Sequence, residues 1–85
     1  MFIKTKNKQE LVRKLEKRIG KNIVIHYNCE NCDDEQVTYD NEVTEDMIES
    51  FKEKGYLMVM YECTNCGSMT KFLHWEYIQG LEEGF

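Results

Sequence analysis

An 85-residue chain makes one domain, near the lower size limit at which a hydrophobic core suffices alone. With 41% hydrophobic and 12% aromatic residues it is a folding chain rather than a disordered one, and its net charge of -5 argues against a general nucleic-acid binder. The opening Met1 to Lys6 has no apolar signal core and no run of ~18 apolar residues occurs, so no secretory leader and no spanning helix is expected, and a cytoplasmic location is.

Ordering a residue costs ~1.5 kcal/mol, which at this length roughly cancels the gain from burial. A cross-link, a metal or a partner is therefore expected. No proline, low-complexity tract or Gly/Ser linker divides the chain, so residues 1–85 read as a single domain.

The first helix is predicted over about 7–19. Asn7 caps it, Glu10 stands three residues on as a capping-box partner, and Gly20 ends it. Leu11, Val12, Leu15 and Ile19 form its apolar arc. Ile23 to Asn28 is rich in β-branched and aromatic residues and reads as a strand. Cys29-Glu30-Asn31-Cys32 turns the chain, and Gln36 to Asp40 returns.

The pattern then restarts. Thr44 caps a second helix over about 44–54, with Glu45 and Asp46 in its first turn and Gly55 after its end. Tyr56 to Glu62 is a nearly continuous apolar run, read as a strand covered on both faces, which makes Met58 and Met60 core filler. Cys63-Thr64-Asn65-Cys66-Gly67 turns the chain and Met69 to His74 returns. The tail, residues 76–85, reads as a short turn over one hairpin, with Trp75, Ile78 and Leu81 on one face if it is helical.

These halves point to an internal duplication of a helix–strand–knuckle–strand unit, the first over about 5–40 and the second over about 44–75. Leu11-Val12-x-x-Leu15 matches Met47-Ile48-x-x-Phe51, Gly20 matches Gly55, and Tyr27-Asn28-Cys29-Glu30-Asn31-Cys32 matches Tyr61-Glu62-Cys63-Thr64-Asn65-Cys66.

Four cysteines in a chain with no secretory signal read as metal ligands rather than disulfides. A redox motif would open a helix after a strand, whereas both pairs here are followed by β-type sequence. A Cys-x-x-Cys turn brings two thiolates together while backbone N–H groups point back at the sulfurs, and two such turns complete a tetrahedral shell. Gly67 suits the positive φ that such a turn needs, and Asp33 stands at the matching place in the first. The expected ligands are Cys29, Cys32, Cys63 and Cys66 around one zinc ion per chain, or iron in its place. His26 and His74 read as ordinary strand residues and Asp33-Asp34-Glu35 as a solvated turn.

On Cys29/Cys32, Cys63/Cys66 and the flanking strands, residues 22–75 resemble the zinc-ribbon group of folds. The resemblance implies a small α+β domain with a metal site and two β-hairpins bearing the knuckles. It implies almost nothing about activity, because ribbons serve many roles.

No Gly-rich phosphate loop, serine-nucleophile motif or His-Glu metalloprotease motif occurs, and four thiolates leave no open coordination position, so no enzyme is expected. Charge supplies the remaining clue. Residues 1–22 carry eight basic and two acidic side chains, and residues 23–85 carry three basic and fourteen acidic ones, giving +6 and -11. On the first helix Lys6, Arg13, Lys14, Lys17, Arg18 and Lys21 oppose the apolar arc; on the second, Glu45, Asp46, Glu49 and Glu53 cluster.

Two functions follow. The first is a zinc-stabilised protein-interaction or regulatory module engaging a basic partner. The Lys-, Asn- and Glu-rich composition fits a bacterial or phage accessory protein that binds and inhibits a host protein. The alternative is a nucleic-acid binder that lays the basic helix on phosphates, with Tyr27, Tyr61 or Trp75 available to stack. The excess of acid over residues 23–85 favours protein. A membrane is not favoured, because the first helix has no aromatic residue and a meagre apolar arc.

Overall fold

The computed structural model describes residues 2–4 and 7–83. Among them the chain forms β1 (Phe2–Lys4), α1 (Lys8–Glu16), β2 (Asn22–Asn28), β3 (Glu35–Glu42), α2 (Glu45–Glu53), β4 (Tyr56–Glu62), β5 (Met69–His74), one 3-10 turn (Trp75–Tyr77) and β6 (Ile78–Glu83). It is a small α+β fold with two antiparallel sheets, one of four strands in the order β1-β6-β2-β3 and one made of β4 and β5 alone. None of the described helices is long and apolar enough to cross a membrane.

Both helices begin where a side chain supplies the missing acceptor. Asn7 Oδ1 accepts the Glu10 amide at 2.8 Å, and Thr44 Oγ1 accepts that of Met47 at 3.1 Å. The second helix ends as expected: Gly55, at φ 81°, donates its amide back to Ser50 O and Phe51 O. The first ends earlier than its periodicity implied. Lys17 caps it, and the chain tightens through a bond from Arg18 N to Leu15 O at 2.9 Å. Gly20 N then bonds Val43 O and Val43 N bonds Lys21 O, which ties the turn to the connection entering α2. Ile19 thereby leaves the apolar arc and is 49% exposed.

One core joins every layer. Leu11, Val12 and Leu15 of α1 and Met47, Ile48 and Phe51 of α2 meet Ile23, Ile25 and Tyr27 of β2, Ile78 and Leu81 of β6, and Leu73 of β5. The inward row of β4, Leu57, Val59 and Tyr61, packs against its edge, as does Trp75. The order helix–strand–knuckle–strand occurs twice, as α1-β2-β3 and α2-β4-β5. Both helices have nine residues and both leading strands seven.

Two expectations fail, for identifiable reasons. The segment after Trp75 is not a turn over a hairpin. Ile78–Glu83 is a strand inserted between β1 and β2, with Leu81 opposite both Ile3 and Ile25. Its i, i+3 apolar spacing resembles a helix face, but a kink between Tyr27 and His26 in the pairing lets Ile78 and Leu81 both turn inward. Nor is β4 covered on both faces. Its sheet has only two strands, the core takes one side, and Met58 and Met60 stand 68% and 76% exposed on the other. Residues 5 and 6, where the expected first unit starts, and 84 and 85, where the expected tail ends, lie outside the described residues.

Candidate metal centre

The two hairpins β2–β3 and β4–β5 point their turns at one another. In the first turn Cys29 N donates to Asp34 O at 2.9 Å and Asp33 N to Cys29 O at 2.8 Å. In the second, Cys63 N donates to Ser68 O at 2.9 Å and Gly67 N to Cys63 O at 3.0 Å. Asp33 and Gly67 sit at φ 62° and 75°, so the same backbone path is built once with an aspartate and once with a glycine. Each turn thus presents its two sulfurs toward the other.

The four cysteines meet. Cys29 Sγ lies 3.7 Å from Cys66 Sγ and Cys32 Sγ lies 3.6 Å from Cys63 Sγ, both contacts running between turns. All four sulfurs fall within 4.8 Å of one another, and none is in a disulfide. A regular tetrahedron with ~2.3 Å from centre to sulfur has edges of about 3.8 Å. The cluster therefore has the size and the soft donor set to hold a metal ion. Cys29 and Cys63 are buried, Cys32 is half-buried and Cys66 is exposed.

Hydrogen bonds converge on these sulfurs. The Asn65 and Cys66 amides point at Cys63 Sγ from 3.4 and 3.5 Å. Asn31 Nδ2 reaches Cys66 Sγ and Asn65 Nδ2 reaches Cys32 Sγ, each at 3.5 Å and each from the opposite turn. The Asn31 amide, with Ser68, holds the Cys66 thiol down at about 5. At Cys63 the Cys66 amide acts in the same direction, but burial and the neighbouring Cys66 and Cys32 thiols outweigh it and push the thiol up to about 11. Packed thiols without a counter-charge cannot all ionise, and a cation between them removes that conflict.

Around the cluster a polar seam links the two sheets. Buried Gln36 accepts from Thr64 N and Thr64 Oγ1 at 3.1 Å. Tyr61 donates its hydroxyl to Asn41 Oδ1 at 2.9 Å, and the Tyr27 and Tyr61 rings stack tilted at 5.7 Å. Burial raises the pKa of both phenols, at Tyr27 reinforced by Tyr61, Cys29 and Cys63, so they stay neutral donors. Gln36, Asn41, Asn31 and Asn65 were not singled out as site residues in the sequence. Only Asn31 and Asn65 left a signal there, the repeated Cys-x-Asn-Cys.

The charged residues divide differently. Lys6 lies outside the described residues. Arg13, Lys17 and Lys21 are exposed, whereas Lys14 is bonded to Glu10 at 2.8 Å. Arg18 donates to Lys14 O at 2.8 Å and lies 3.5 Å from the Glu83 carboxylate. Glu45, Asp46, Glu49 and Glu53 are all exposed on α2. Glu45 and Glu49 join Glu16, Ile19, Ile48 and Lys52 around an open groove of about 280 Å³ between the helices. His26 is held between the Glu35 and Glu82 carboxylates at 3.5 and 3.3 Å, and Asp33, Asp34 and Glu35 are exposed. Of the aromatic residues offered for base stacking, Tyr27 is 1% exposed and Tyr61 and Trp75 pack against the core.

On the outer side of β4–β5 lies a surface the sequence did not disclose. Met58 stands opposite Phe72 and Tyr56 opposite His74. The Tyr56 ring lies 5.2 Å from both Phe72 and His74, and His74 lies 6.2 Å from Tyr77. Met58, Met60, Phe72 and Tyr77 are exposed here, beside the half-buried Tyr56 and His74. No family model, no curated protein and no solved structure matches the chain.

Proposed function

We propose that this protein is a non-enzymatic, zinc-stabilised interaction module that binds a protein segment combining apolar anchors with Lys or Arg. Cys29, Cys32, Cys63 and Cys66 hold the ion, the two turns forming a zinc-ribbon-like clasp. A bound zinc ion supplies a tetrahedral cross-link with no open position for a reactant. The observation that carries the binding role is the uncovered face of β4–β5. Single exposed apolar residues are ordinary, but Met58, Met60 and Phe72 adjoin an aromatic row on one sheet face, and such patches mark contact surfaces. Methionine adapts its shape to a partner. Charge selects the partner's sign, since residues 23–85 carry -11, with the exposed acids of α2 among them.

The nucleic-acid alternative is less well supported. Lys14 and Arg18 are engaged within the chain, which leaves Arg13, Lys17 and Lys21 as a short basic row beside an acidic helix.

The test is affinity capture from a bacterial lysate with the zinc-loaded protein and with a Met58→Lys/Met60→Lys variant. Circular dichroism and metal content verify that both are folded. A protein retained by the first and lost by the second supports the reading. An unchanged set of captured proteins refutes it, as does DNA or RNA binding that falls steeply with salt.

A further inference from the structure

The cross-turn contacts of two asparagines go beyond the list of ligands. Each turn carries Cys-x-Asn-Cys, and in each the asparagine side-chain amide donates to the second cysteine of the other turn. The two contacts are equal in length, 3.5 Å, although the position after the second cysteine is Asp33 in one turn and Gly67 in the other. Their targets share a property. Cys32 and Cys66 are the more solvent-accessible sulfurs of their pairs, while Cys29 and Cys63 are buried. Four thiolates around a divalent ion leave two excess negative charges, and N–H donors on the more exposed pair offset that charge where competing ligands would arrive first.

We infer that Asn31 and Asn65 are positioning residues that latch the metal crosswise, each holding the more exposed thiolate of the opposite turn against release. This rests on the metal reading above. Asn31 guards the exposed Cys66 and Asn65 the half-buried Cys32, so Asn31 carries the larger share of the release rate.

The experiment measures zinc affinity and zinc release to a competing chelator for the wild-type chain, Asn31→Ala, Asn65→Ala, the double variant, Asn31→Asp and Asn31→Gln. Circular dichroism in saturating zinc establishes that each variant folds. Outer partners of metal ligands are worth ~10- to 100-fold in affinity. Each alanine variant is expected to weaken zinc binding about tenfold and the double variant about a hundredfold. Asn31→Asp, which keeps the shape but replaces the donor with an anion, loses more than Asn31→Ala, and Asn31→Gln recovers part of the loss. Cobalt(II) in place of zinc gives a second readout, because removing a donor from a thiolate shifts the sulfur-to-cobalt charge-transfer band to lower energy. Alanine variants within twofold of wild type in affinity and release, with the band unmoved, overturn the inference. So does an aspartate variant no weaker than alanine. A wild-type chain that shows no cobalt–thiolate band at all removes the metal reading itself, and the inference with it.

Discussion

Removing the metal should unfold the whole domain rather than loosen one corner. Among the described residues no strand pairing joins the two sheets; β4 and β5 form a sheet of their own, and a two-stranded hairpin is marginal in water. The cysteine cluster, the Gln36–Thr64, Asn41–Tyr61 and Ser50–Tyr56 bonds, the packing of Leu57, Val59 and Tyr61 and the burial of Leu73 in the common core all couple it to the rest. At ~0.05–0.15 kcal/mol per residue, a chain of this length has a net stability of about 4–13 kcal/mol. Zinc held by such a site in small peptides contributes ~10–16 kcal/mol, so the metal-free chain is left near or below zero. Because Leu73 shares its core with Leu11, Ile25 and Phe51, freeing the hairpin opens that core to water. Trp75 is the only tryptophan, and it packs against that core with its amide bonded to Gly55 O at 3.0 Å. Titrating a strong zinc chelator should therefore red-shift the tryptophan emission and diminish the far-UV circular dichroism along one curve, both restored by one equivalent of zinc. A chain stripped of metal that keeps its spectrum and thermal midpoint would refute the reasoning.

Two further substitutions test the turns and the core. Gly67→Ala meets no atom within 4 Å, so its cost is the positive φ alone, ~1–2 kcal/mol in denaturant melts of the zinc-loaded protein; Asp33→Gly at the equivalent position should change stability by less than ~0.5 kcal/mol. Equal costs at the two sites would show that the turns are not the same backbone path. Phe51→Ala, at a side chain 1% exposed, should cost ~3–5 kcal/mol, and Met58→Ala, on the open face, no more than ~0.5 kcal/mol, as read from thermal melts. A large loss at Met58 would mean that the outer face of β4–β5 is packed.

Local chemistry was legible in the sequence and long-range pairing was not. Asn7, Thr44 and Gly55 punctuate the helices by interactions within a few residues, so their roles follow from spacing. The cysteines are read as readily, because the constraint lies within each four-residue turn. By contrast, β6 owes its identity to β1 and β2, up to eighty positions away, with Phe2 opposite Glu82. Nothing local in Ile78–Glu83 encodes that. The end of α1 was missed because a tertiary bond, Gly20 N to Val43 O, overrides helical periodicity. Met58 and Met60 were misread since an unbroken apolar run does not distinguish a strand buried on both sides from one whose second side awaits a partner.

The insertion of β6 has a consequence for how the molecule assembles. Each hairpin, with its pair of thiols, closes over a short stretch of chain and can form early, whereas the four-stranded sheet is complete only after a segment from the far end threads between β1 and β2. Until then the long apolar strand Asn22–Asn28 offers one side of its ladder to any extended polypeptide nearby. A chain clipped before Ile78 would retain all four cysteines and still be prone to aggregate through that open edge.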